Sequence, residues 1–139
     1  MDFSLFIYKR LLKQLLDNRY NFEKFQNVLL NQDLLILLRH DVDLKPQNSL
    51  ATAIIERKLG IQGTYYFRVV PESYNEDIIK QIADLGHEIG YHYENMDSVS
   101  TRFRGKGIKF KNAEEERESI IDAAYEEFCE NLERFRKIY

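Results

Sequence analysis

Two carboxylates, Asp41 and Asp43, stand two residues apart where five aliphatic residues, Leu34 to Leu38, give way to Arg39-His40-Asp41-Val42-Asp43. Further along, His92 and Glu94 show the same spacing at the end of another strand-like stretch. Residues i and i+2 of a strand share a side, so each pair can point one way. If the two strands are parallel, their carboxyl ends form one rim and the four side chains converge there. An imidazole with carboxylates is part of a ligand shell for zinc or a similar divalent metal. A carboxylate left free of the metal can take a proton from metal-bound water. The plainer readings are helix capping and loop hydrogen bonds for the aspartates, and a hydrogen-bonded rim histidine for His92. His40 packs or hydrogen-bonds beside the site, and His87, at a strand start, is structural.

These side chains depend on the elements that carry them. Leu5, Tyr8, Leu12 and Leu15 recur at helical spacing and predict an amphipathic helix from Phe3 to about Asn18. Asn21 is placed to cap a second short helix with Phe22, Phe25, Val28 and Leu29 on its buried stripe, so residues 1–31 form an N-terminal helical segment. Asp33 to Arg39 reads as a strand buried on both faces. Pro46 opens a helix over Gln47–Leu59 that Gly60 ends. Gly63 to Val69 is the second strand, and Asn75 caps a helix over Glu76–Leu85, with Gly86 at its end. His87 to Tyr93 is the third strand. Strand, helix and strand in succession predict βαβ units with right-handed crossovers. Glu94 to Lys111 reads as a long polar segment, with a solvated loop over Arg102–Lys111. Asn112 with Glu115 forms a capping box for a final helix whose buried face is Ile121, Ala124, Phe128, Leu132 and Phe135.

The chain has 139 residues, a net charge of −3 and one cysteine, Cys129. Its length predicts one domain, and its acidity argues against a general nucleic-acid binder. A lone cysteine forms no internal disulfide, and no apolar run is long enough for a membrane span, so a cytoplasmic protein is the default.

Arg39-His40-Asp41-Val42-Asp43, Gly63-Thr64-Tyr65-Tyr66-Phe67 and Gly86-His87-Glu88-Ile89-Gly90-Tyr91-His92 together resemble the opening motifs of the polysaccharide deacetylase family, over roughly Leu35 to Tyr93. The resemblance implies a metal-dependent hydrolase that removes N- or O-acetyl groups from sugars. It implies an α/β fold, a partial and distorted (β/α) barrel with three parallel strands flanked by helices. Such a barrel is completed by another chain or by a missing C-terminal half, and its uncovered sheet edge suits a homo-oligomer. By position, Asp41 matches the general base, Asp43 the first metal ligand and His92 the first histidine of a His-x-x-x-His motif. The second histidine falls at Met96, a poor ligand for such an ion, and Glu94 is the nearest substitute. Arg39, His40 and Tyr93 are the adjoining candidates for substrate contact. The family's later motifs, including a histidine general acid, have no counterpart here. The alternative is therefore a non-catalytic deacetylase-like domain that binds a carbohydrate or a partner protein.

Overall fold

The structure, a computed structural model, describes residues 4–27 and 34–137. It divides into two compact units, Met1–His92 and Tyr93–Tyr139, each with its own packing. No helix among the described residues is long and apolar enough to cross a membrane.

The first unit opens with α1 (Leu5–Asp17), capped by the Ser4 hydroxyl, which accepts from the Ile7 amide. Leu12 is its one fully buried side chain, and Leu5, Phe6 and Leu11 stay exposed. The segment after it corrects the expected second helix. Asn21–Glu23 is a short strand, β1, paired in parallel with β2 (Leu35–Leu37), and Phe25–Asn27 is a single 3₁₀ turn. Val28 and Leu29, assigned to the stripe of that helix, lie outside the described residues, as does Asp33.

The expected single strand through Leu34–Arg39 is also corrected. The ladder breaks at Leu38, β2 stays with β1, and a new strand, β3 (Arg39–Val42), begins a separate sheet. Leu35, Ile36 and Leu37 are only half-buried, so this strand is not enclosed on both faces. Leu34 takes φ +58°, a left-handed turn at the entry to β2.

The second sheet has the order β3-β4-β5, with β4 Thr64–Phe67 and β5 Glu88–Tyr91, all parallel. Its crossovers are α2 (Pro46–Lys58) and α3 (Glu76–Asp84). The described strands thus form two small sheets, neither of which closes into a barrel. Pro46 supplies the fixed φ of a first helical position. The Asn75 side chain accepts the Ile78 amide at 3.0 Å, and the glutamate and aspartate that follow suit the positive end of α3. Gly60 and Gly86 take φ +75° and +93° where the two helices turn into their strands.

One face of the sheet carries His40, Val42, Tyr65 and Phe67, and it is the core side. Val42, Tyr65 and Phe67 are buried there, and Ala53, Ile79 and Ile82 of the crossover helices are buried as well. Each fully buried large apolar side chain contributes about 1.5–3 kcal/mol, so this layer fixes the strand order. The opposite face carries Arg39 and Asp41 on β3, Thr64 and Tyr66 on β4, and Glu88 and Gly90 on β5. Gly90 lies beside Tyr66 in register, and a Cβ built there would be 2.4 Å from two atoms of the Tyr66 ring. Gly90→Ala is expected to push that ring out and lower stability by about 1–3 kcal/mol, measured by urea unfolding.

The second unit packs α4 (Asn95–Gly105) against α5 (Ala113–Arg136). The polar segment over Glu94–Lys111 thus contains a helix, which corrects the expected loop at its start, Arg102–Gly105. Its Val99 is fully buried, Arg102 Nη1 contacts Glu127 Oε2 of α5 at 2.6 Å, and Arg104 donates to the Ser100 hydroxyl within α4. Asn112 caps α5 by accepting the Glu115 amide, and Glu115 reaches back to the Lys111 amide.

Candidate functional site

The ends of β3 and β5 set the geometry. Val42, Phe67 and Tyr91 are level in register, so the next residues, Asp43 and His92, leave the sheet at one height. The ladder still holds His92, whose amide donates to the Phe67 carbonyl at 2.9 Å. Alternation puts His92 on the side of Glu88 and Gly90, and Asp43 on the side of Arg39 and Asp41. The two side chains meet: His92 Nδ1 is 3.3 Å from Asp43 Oδ1. That nitrogen is buried and has no hydrogen-bond partner, while the Asp43 side chain is about half exposed.

This arrangement fits a cation. Two ligands at about 2.0–2.2 Å from a tetrahedral zinc are separated by about 3.3–3.6 Å, which is the spacing of these two atoms. Glu94 follows His92 by two residues and precedes α4 as the second residue of the second unit. The covalent chain limits its Cα to about 7 Å from that of His92. Met96 sits in the first turn of α4, half exposed.

Asp41 shares the sheet face of Arg39, and Arg39 Nε donates to Asp41 Oδ1 at 2.8 Å. The guanidinium in turn lies 4.7 Å from the centre of the Tyr66 ring. Arg39 is thus a neighbour that holds Asp41. Tyr93 is largely exposed, its ring edge-on to Phe128 within the second unit.

His40 has a different place from the one expected beside the site. It faces the core side of β3, where Nε2 is 2.7 Å from Glu56 Oε1, a close contact without an aligned hydrogen bond. Glu56, on α2, is fully buried. Its carboxylate accepts from Tyr8 Oη at 2.5 Å and from Tyr65 Oη at 2.8 Å. The His40 ring stacks on Tyr65 with centroids 4.3 Å apart. His87 is buried alongside: its Nδ1 accepts the Gly63 amide, so Nε2 carries the proton and donates to the Ala53 carbonyl. This cluster was missed because a glutamate in a helix reads as solvated. The available signal was its place three residues after Ala53, on the buried face of α2.

Burial pushes the Glu56 carboxyl up, but His40 and the two phenols outweigh it and hold it below its ordinary range. Burial lowers His87, and burial with the Glu56 charge raises both Tyr8 and Tyr65. The unfolded chain therefore binds more protons than the folded one as pH falls below the ordinary histidine value of 6.5, and again below the ordinary glutamate value of 4.5. Above the ordinary tyrosine value of 10.0 the folded chain keeps protons that the unfolded chain loses. Stability is expected to be level between roughly pH 7 and 9 and to fall on both sides, read from melting temperatures across pH.

Comparison with protein-family models, with curated proteins and with solved structures finds no match to this chain.

Proposed function

We propose that the chain is a divalent-metal hydrolase of the carbohydrate-deacetylase kind, with its three-stranded sheet a segment of a distorted (β/α) barrel. The observation that carries this reading is the contact between Asp43 and His92, with a buried imidazole nitrogen left without a hydrogen bond. Asp43 and His92 would hold the metal, zinc by the chemistry of the donors, and Glu94 would supply the third protein ligand. The metal would polarise an acetyl carbonyl and lower the pKa of bound water. Asp41 would accept the proton of the attacking water on Oδ2, since Oδ1 is engaged by Arg39. Arg39 keeps that carboxylate in one orientation and, through it, the direction of proton transfer.

The leaving group also needs a proton. The chain has three histidines. His40 and His87 belong to the Glu56 cluster and His92 to the rim, so no imidazole remains as a general acid. Turnover is therefore expected to be slow. Acetate release from N-acetylated oligosaccharides with added zinc tests the reading. Asp41→Asn is expected to lower the rate by about 10²-fold or more. An unchanged rate removes Asp41 from the chemistry. Zinc binding with no acetate release in any variant would instead favour a carbohydrate- or partner-binding domain.

A further inference from the structure

Helix α1 carries apolar residues on more than one side. Leu12 is fully buried and Tyr8 reaches Glu56 of α2, so that row faces the body of the first unit. Phe6, Ile7 and Leu11 fall on the rest of the helix surface and are exposed, Phe6 to 72%. Lys9, Arg10 and Lys13 are exposed among them, and no acid precedes Asp17 in the helix. A helix that packs on one side needs one apolar stripe, so these further residues are left for another surface. The second unit has a groove of about 400 Å³ whose lining includes Tyr93, Met96 of α4, and Ile121, Tyr125 and Phe128 of α5. Tyr93, Met96, Ile121 and Tyr125 are exposed, Tyr125 to 67%. We propose that this groove receives α1 of a second copy of the chain, in a contact that needs no metal.

Charge selects the occupant. Between Ala113 and Glu133, α5 has nine acidic residues and one basic residue, Arg117. Glu118 lies one turn before Ile121 and Asp122 one turn before Tyr125, both exposed, and Asp97 is exposed next to Met96. An apolar row edged by acids suits a helix whose exposed apolar residues are edged by lysine and arginine, in the helix-in-groove mode of recognition. The lengths agree as well: Phe6 to Lys13 and Ile121 to Phe128 each advance seven residues along a helix, about 10 Å. An anionic membrane would attract the cations of α1, but it would repel the acid-edged groove and leave it open. Both patches are exposed on the single chain, and a second copy covers both. The contact joins two different patches, so a protein damaged in one patch can still pair with a protein damaged in the other.

Sedimentation velocity of the full chain over a range of concentrations tests this. The wild type is expected to self-associate with a dissociation constant of roughly tens of micromolar, as suits a small interface. Sodium chloride at about 0.5 M is expected to weaken that association at least about fivefold. Phe6→Ser and Tyr125→Ser each remove an exposed side chain, and each variant is expected to be folded and monomeric on its own. Mixed in equal amounts, the two are expected to associate again, since one supplies an intact groove and the other an intact α1. A wild type that stays monomeric overturns the proposal whatever the variants do, and binding of that monomer to phosphatidylglycerol vesicles would assign α1 to a membrane surface instead. Self-association that is unchanged by salt, or that both variants retain, places the contact elsewhere, such as the open sheet edge, and overturns it. A mixture of the folded variants that stays monomeric overturns it as well.

Discussion

Glu56→Ala is expected to destabilise the first unit by about 3–5 kcal/mol, the cost of removing one member of a buried charged network. The carboxylate is completely buried and serves Tyr8, Tyr65 and His40 at once, linking α1, β4 and β3 to α2. Its removal strands the hydroxyls of Tyr8 and Tyr65, and each unsatisfied buried group costs about 1–3 kcal/mol. A cavity beside Tyr65 adds to that. The network is not thereby a large net source of stability, because its desolvation was already paid on folding. Glu56→Gln keeps an acceptor and much of the volume, so it should cost less than the alanine variant. Urea unfolding of both proteins at neutral pH provides the comparison. A loss below about 1 kcal/mol for Glu56→Ala would mean that the cluster is not the structural tie described.

Zinc is expected to stabilise the chain, and His92→Ala to remove that effect. A ligand that binds only the folded state contributes about 2.7 kcal/mol at a hundredfold excess over its dissociation constant. His92 Nδ1 lacks a hydrogen bond, so the variant loses the packing of a largely buried ring but no hydrogen bond at that nitrogen. The variant should melt somewhat below the metal-free wild type, and its melting temperature should not move when zinc is added. Stabilisation of His92→Ala equal to that of wild type would place the zinc elsewhere.

The parts of the fold that could be read from the sequence are those with both a periodic pattern and a punctuating residue. Asn75 before Ile78, Ile79 and Ile82, with Gly86 behind them, defines α3 from both ends. The meeting of Asp43 and His92 was readable for a related reason: parallel pairing brings the residues that follow two apolar strands to one height. The three-residue β1 was not readable. Asn21-Phe22-Glu23 is too short to show alternation, and Asn21 equally suits a cap. The break at Leu38 is set by pairing, since β2 follows β1 while β3 follows β4, and no local residue marks it. The helix α4 was hidden by its cations: its amphipathic pattern rests on few apolar residues, and its Arg102 needs Glu127, distant in sequence, to be satisfied. Glu56 was hidden in the opposite way, since its partners come from α1, β3 and β4 and no local pattern announces a buried carboxylate.

Calorimetric titration of the metal-free chain with zinc, beside Asp43→Ala and His92→Ala, addresses the rim most directly. One saturable site in the wild type, with affinity reduced at least about a hundredfold in each variant, is the expected result, since each change deletes a ligand rather than a supporting contact. Equal zinc affinity in all three proteins would show that Asp43 and His92 are only neighbours at the edge of a folded sheet.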